Sequence, residues 1–238
     1  RAIIDGDTTG DGIGDMPSPV SLQTSYIDIE GLIIKNGGRD CNNSTQLCYT
    51  VGETLALGGT NNTVRRTSIY NAHPDINSIV VSVLGSNNLV EDCVVGGFGR
   101  KMMYVFGSGT RNIFRRCFVA WQEWDGREFS PGNWPWGDSI ETYNASGNVF
   151  ENCIVYGMTP GPGSGINIFS QGGQSSSNNA VLGTMAVKAG MKWNGTSMTW
   201  PCPSPYDSSA PCTNLAGWNY RSGFRLGNFG ETTRNNLF

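Results

Sequence analysis

Charge is scarce in this sequence. Of its 238 residues, 15% are charged, the net charge is −3 and there is one histidine, His73. A nucleic-acid-binding chain carries a basic stripe, and none runs through this one. No apolar run approaches membrane-spanning length, so a spanning helix is not expected. Apolar residues at i, i+3, i+4 spacing are missing, which argues against a helical solenoid. The chain opens at Arg1 with neither a start methionine nor a signal-peptide pattern, which predicts a processed product or a segment of something longer.

Glycine is abundant at 33 residues, and there are seven cysteines. Cys41 and Cys48 close a short polar loop, as do Cys202 and Cys212. Such loops predict local disulfides and an oxidising, extracellular location, secreted or at the cell surface. Sequons at Asn42, Asn43, Asn61, Asn144 and Asn194 permit glycosylation there. His73, in NAHPDIN, reads as a surface loop residue.

An internal repeat organises the rest. The segments NNTVRRTSIY, NNLVEDCVVG, RNIFRRCFVA, GNVFENCIVY and NNAVLGTMAV share a polar turn, an apolar anchor, two polar residues and a small residue. The anchors are Val64, Val90, Phe114, Phe150 and Val181, with Ile29 in an earlier copy. Three positions on stand Leu32, Thr67, Cys93, Cys117, Cys153 and Thr184, predicted to form one inner file of small, buried side chains. A second pattern precedes each anchor: VSL, LAL, VSV, MYV, IET, INI and FRL, alternating at strand period. The spacing between anchors varies from 24 to 57 residues, almost wholly after the third strand. One corner must therefore stay tight while another sprouts loops. Stacked parallel strands about 4.8 Å apart satisfy both demands. The expected fold is all-β, a parallel β-helix solenoid of about six to seven coils, as a single segment over 1–238 with long loops at 120–138 and 188–222.

These units resemble those of the pectate-lyase-like superfamily of right-handed parallel β-helices. There a stacked Asn often fills the tight corner after the second strand; here Cys and Thr stand at that position, in VEDC, FRRC and FENC. The resemblance implies the fold over nearly the whole chain and leaves the activity open, since the superfamily holds lyases, hydrolases, adhesins and phage tailspikes. It also implies a substrate groove on the face of the first strands. The opening AIID reads as the third strand of a coil, and the closing TRNNLF matches Thr110–Phe114 and stops at an anchor. Both ends are then uncapped, and end-to-end stacking into a filament is one expectation.

Alternation places Ser21, Ala56, Ser82, Tyr104, Glu141, Asn167 and Arg225 outward on that face, one per coil. The candidate catalytic residues are Glu141, Arg225, Tyr104, Asp138 and Lys101. In a uronate lyase, Arg225, Lys101 or Tyr104 would neutralise the sugar carboxylate or take a proton. In a hydrolase, Asp138 and Glu141 would be the carboxylate pair. The paired Asp run, His-Gly and Arg-x-Lys of known pectinase chemistry are not found. All seven tryptophans, Trp121, Trp124, Trp134, Trp136, Trp193, Trp200 and Trp218, fall in the two long loops. Flat rings with an apolar face suit sugar contact as well as a protein interface. With Asn167 they are the candidate polysaccharide-binding residues. Asp7, Thr9, Asp11 and Asp15, in DGDTTGDGIGD, present oxygens at a spacing that suits Ca²⁺. Two readings result: a polysaccharide-binding or polysaccharide-cleaving protein with a Trp-walled groove, or a non-catalytic structural or adhesive protein that stacks end to end.

Overall fold

The computed structural model describes residues 1–10, 12, 14–38, 52–72, 78–121, 138–156, 164–172, 174–187, 192–193, 198–199, 222–228 and 236–237. Three parallel sheets hold nearly all its strands. Sheet 1 contains Val20–Leu22, Glu53–Leu57, Ile79–Val83, Lys101–Phe106, Asp138–Tyr143, Ser164–Ser170 and Ser222–Asn228, in that spatial order. Sheet 2 contains Asp28–Glu30, Thr63–Arg65, Leu89–Glu91, Ile113–Arg115, Val149–Glu151 and Ala180–Leu182. Sheet 3 contains Ile3–Asp5, Ile33–Lys35, Ser68–Tyr70, Val94–Gly97, Phe118–Trp121, Ile154–Tyr156 and Met185–Val187. The chain visits sheets 1, 2 and 3 in turn and then returns to the next strand of sheet 1. No helix occurs among the described residues. The arrangement fits a parallel β-helix.

Each triplet recognised in the sequence sits in sheet 1, and each anchor from Ile29 to Val181 sits at the centre of a sheet 2 strand. Inside, like stacks on like. Ile34, Ile69, Val95, Val119 and Val155 follow one another in register, all buried. Phe114 and Phe150 stack with ring centroids 4.8 Å apart and planes 12° from parallel. The loop boundaries shift slightly from those expected. Sheet 3 runs on to Trp121, sheet 1 restarts at Asp138, and the second long loop contains an antiparallel pair, Lys192–Trp193 with Met198–Thr199.

The corners explain the turn chemistry. Between sheets 2 and 3, one residue per copy takes positive φ: Gly31, Arg66, Asp92, Arg116, Asn152 and Gly183. The next residue is the small one. Cys93, Cys117 and Cys153 are free and buried, and their thiols donate to carbonyls of Val64, Val90 and Phe114 in the preceding layer. Thr184 bonds the carbonyl of Phe150 in the same way. Contact with Cys153 and Cys93, and burial after it, push the Cys117 thiol up, so it stays protonated.

The stacked asparagines stand at the other corner, between sheets 1 and 2. Asn62, Asn88, Asn112, Asn148, Asn179 and Asn236 form one file, two residues before each anchor position. The backbone N–H of each of the first five donates to the Oδ1 of the next, at 2.9–3.0 Å. Each Nδ2 donates to a carbonyl of the preceding layer, including those of Thr24, Gly59, Gly85 and Gly109. A buried turn leaves backbone groups that the strand ladders cannot satisfy, and a short carboxamide supplies both donor and acceptor. The layers are so close here that a Cβ on Gly85 would meet the carbonyl oxygen of Gly59 at 1.7 Å.

Outside, sheet 2 carries an alternating charge file: Glu30, Arg65, Glu91, Arg115 and Glu151 are register neighbours. Arg115 and Arg116 both pair with Glu91, and Arg116 also reaches Asp92 at 2.7 Å. Like charges one layer apart would repel, so alternation fixes the register. The hydrogen bond from Arg115, opposed by some desolvation and reinforced by Arg116, holds Glu91 below its ordinary value; Arg116 does the same for Asp92. A carboxylate with a depressed folded-state pKa contributes stability above its unfolded pKa and loses it as pH falls through the folded value. The thermal midpoint is therefore expected to fall below the ordinary carboxylate range, and a Glu91→Gln variant to fall less steeply there. Calorimetry from pH 6 to pH 2 checks this.

Candidate functional site

The site is built on the outer side of sheet 1. Inward positions are apolar with one exception among the described residues: Leu55 and Leu57, Val81 and Val83, Met103 and Val105, Ile140, Ile166 and Ile168 are fully buried, and so is Thr142. The residues between them face out, and the register makes Ser21, Ala56, Ser82, Tyr104, Glu141 and Asn167 one file, with the backbone of Arg225 next in register. Glu141 and Arg225 are two layers apart, as the strand spacing required. The file is more enclosed than an open groove. Ala56, Ser82, Glu141 and Asn167 are 1–4% exposed.

Met102 and Met103 both enter the core, so alternation slips by one where this strand begins. Lys101 then meets Glu141. The two form an ion pair with side chains 8% and 5% exposed. Lys101 Nζ lies 3.7 Å from the centroid of the Tyr104 ring and 5.7 Å from that of Tyr143. Ring faces attract a cation, and the attraction grows when water is excluded. On the other side, Asn167 Nδ2 donates to Glu141 Oε1 at 3.4 Å. Lys101, Tyr104, Glu141 and Asn167 are thus brought together. Asp138 pairs in register with Lys101, and Arg225 with Asn167; both are placed by backbone alone.

Two features escaped the sequence reading. The first is Glu53, two residues before Leu55 in GETLAL. Burial pushes its carboxyl up, with hydrogen bonds from Ser82 and Ser18 pulling partly back. Its register partners run Glu53, Ile79, Lys101, Asp138, so three layers, about 14 Å at the strand spacing, separate it from the layer of Glu141. That exceeds either glycosidase geometry. A carboxylate whose folded pKa is raised costs stability at neutral pH and recovers it as pH falls. Glu53→Gln is therefore expected to raise the thermal midpoint slightly at pH 7 and to leave it unchanged at pH 4.

The second feature is aromatic. Leu84, Phe106, Tyr143 and Phe169 occupy the outward file next to that of Glu141. Ring centroids are 5.4 Å apart for Phe106–Tyr143 and 5.2 Å for Tyr143–Phe169. Leu84 and Phe106 are each 39% exposed, and the Tyr143 hydroxyl donates to Gln171 Oε1. Burial, followed by the charge of Glu141, pushes the Tyr143 phenol up, so it stays a hydroxyl. The signal was present in the sequence, two residues after Ser82, Tyr104, Glu141 and Asn167.

In the N-terminal loop, Asp15 Oδ2 accepts from Thr8 N, Thr8 Oγ1 and Thr9 N, and Asp7 accepts from Thr9, Gly10 and Gly12 N–H groups. Asp11 lies outside the described residues. The carboxylates turn toward backbone donors, which a cation would have to displace. No cluster of three metal-ligating side chains occurs among the described residues. Cys41, Cys48, Cys202, Cys212, His73, Trp124, Trp134, Trp136, Trp200 and Trp218 also lie outside them. Trp121 and Trp193 are placed by backbone alone.

No helix among the described residues is long and apolar enough to cross a membrane. No protein-family model matches the chain, and comparison with curated proteins and with solved structures returns no significant match.

Proposed function

We propose that the chain is a secreted or cell-surface protein of the right-handed parallel β-helix type that binds polysaccharide along sheet 1 without cleaving it. The file of exposed Phe106 and half-buried Tyr143, with Leu84 beside it and the buried Phe169 stacked behind Tyr143, carries the reading. Rings repeated once per layer along a straight stripe match a linear polymer, whose successive sugar rings each offer an apolar face. The Trp-rich loops leave the chain immediately before strands of this same sheet, which suits them to wall the stripe. Cleavage is less well supported. Glu141 is engaged by Lys101 and Asn167, so a uronate would have to displace it to use the ammonium, and no second carboxylate stands at hydrolytic distance among the described side chains.

Binding is tested by calorimetric titration with a panel of neutral and uronate polysaccharides. The double variant Phe106→Ala, Tyr143→Ala is expected to weaken the best ligand at least about tenfold, roughly 1.4 kcal/mol or more. Undiminished binding contradicts the stripe, and new absorbance from unsaturated product contradicts the non-catalytic part.

A second reading has its own observation. The outer side of sheet 3 exposes Phe118, Ile154 and Met185 on consecutive strands at 40–55%, in a register file that runs back through Val94, the buried Ser68 and Ile33 to the exposed Ile3. An apolar stripe of this kind suits a structural or adhesive protein that assembles laterally or end to end. Electron microscopy at high concentration separates the two: filaments favour assembly, isolated monomers the binding protein.

A further inference from the structure

We propose that the stacked thiols of Cys93, Cys117 and Cys153 form a binding site for a soft, two-coordinate metal ion, held between Cys117 and one of its neighbours. The inference is independent of polysaccharide binding. The three residues stand on successive layers, each just before a strand of sheet 3, and the register of those strands sets Cys117 beside Cys93 on one side and Cys153 on the other. All three are free and 1–2% exposed. The Cys117 side chain is in contact with both neighbouring thiols.

The corner itself does not require sulfur. It needs a small side chain that donates to a nearby carbonyl, and threonine meets that need elsewhere in the file: Thr184 donates to the Phe150 carbonyl and Thr67 to that of Arg65. Three successive thiols add what a hydroxyl lacks, a polarizable sulfur that binds soft ions once its proton is lost. The spacing fits such an ion. A metal–thiolate bond is about 2.3 Å, so a linear sulfur–metal–sulfur unit spans about 4.6 Å. Stacked strands hold like positions about 4.8 Å apart. The thiols lie along a line and not around a point, so three do not share one ion, in keeping with the absence of a three-ligand cluster among the described residues. Each adjacent pair can.

Charge selects the ion. The cysteines belong to one buried apolar cluster with Val90, Val95, Phe114, Val119, Phe150 and Val155. Net charge is costly in such surroundings, so the favoured complex is neutral, one divalent ion with two thiolates. Two S–H bonds break, two sulfur–metal bonds form and two protons leave to water; no electron is transferred. Zinc takes four ligands, which a pair of thiols does not supply. Hg(II) accepts two in a line and is the best match. Each thiol stands next to an exposed turn residue, Asp92, Arg116 or Asn152, so an ion enters by the opening of a turn and not of the core. Once bound, it ties two neighbouring layers and stabilises the folded chain.

The test is titration of the folded full-length chain with mercuric chloride, without added reductant. The wild type is expected to bind one ion at this file, with a new ultraviolet thiolate-to-metal band and a higher thermal midpoint. Cys117→Ser removes the shared partner and should lose that equivalent, the band and the shift. At least one of Cys93→Ser and Cys153→Ser should keep all three, and the one that does identifies the pair; the double variant should lose them. Serine keeps the small donor that Thr67 and Thr184 supply in their layers, so the variants are expected to fold. Uptake at Cys41, Cys48, Cys202 or Cys212 would be the same in every variant and cancels in the difference. X-ray absorption of the loaded wild type, which needs no variant, should show two sulfur neighbours. Uptake by Cys117→Ser equal to that of the wild type, loss in both flanking single variants, or a wild type that binds no ion or surrounds it with oxygen and nitrogen overturns the proposal.

Discussion

Asn148→Ala is expected to destabilise the chain by about 2–5 kcal/mol, among the largest losses any polar substitution here should cause. Asn148 is fully buried and occupies the middle of the file between sheets 1 and 2. Its Oδ1 accepts both the backbone N–H and the Nδ2 of Asn112, each at 3.0 Å, and its Nδ2 donates to the Gly109 carbonyl at 3.1 Å. Alanine would leave a buried N–H and a buried carbonyl without partners. Each such orphan costs about 1–3 kcal/mol. Asn148→Asp keeps the acceptor and, where the new carboxyl is protonated, offers one O–H in place of the two amide N–H donors, so it should fall between alanine and wild type at such a pH. Urea unfolding reads both, with the slope unchanged if only native stability has moved. A loss under about 1 kcal/mol for Asn148→Ala would mean the file is not carrying the corner.

Phe114→Ala should cost about 3–5 kcal/mol, and Phe150→Ala a similar amount. Both rings are fully buried and stacked on each other, at the centres of neighbouring strands of sheet 2. Removing one opens a cavity bounded by its partner and by Val90, and the parallel layers above and below are held at strand spacing and cannot close in. The double variant should lose less than the sum of the two singles, because each ring contributes to the other's packing. Phe114→Leu, which fills most of the space, should lose less than half as much. Thermal unfolding of the four variants measures the set; strict additivity would contradict direct stacking.

The architecture was legible because its period is short and its chemistry repeats. The triplets from VSL to FRL and the anchors from Ile29 to Val181 mark layers that must coincide, and each lies in the sheet expected. The outward file from Ser21 to Asn167 followed from alternation alone. The asparagine file was equally visible, since an Asn stands two residues before six successive anchor positions, but abundant Asn in turns masks a ladder unless the column is read vertically. Burial was less legible. Alternation tells which way Glu141 points and not what covers it, so a position expected in an open groove proved to be an enclosed ion pair. Lys101 was nominated for its charge, while its approach to Glu141 depends on the slip at Met102 and Met103, which a strict period of two does not anticipate. Glu53 was missed for a similar reason: burial, which alternation does not report, pushes its carboxyl up, and the Ser82 and Ser18 hydroxyls that pull partly back are distant in sequence.

The whole reading depends on layers that lie directly over one another with their strands parallel. Methyl-to-methyl nuclear Overhauser spectra in solution examine this most directly. Ile34, Ile69, Val95, Val119 and Val155 should show strong cross-peaks in series, each residue with the next and none skipping a layer. Cross-peaks that join non-neighbours, or an absence of contact between Ile69 and Val95, would contradict the stacking and with it the aromatic stripe and the enclosed lysine.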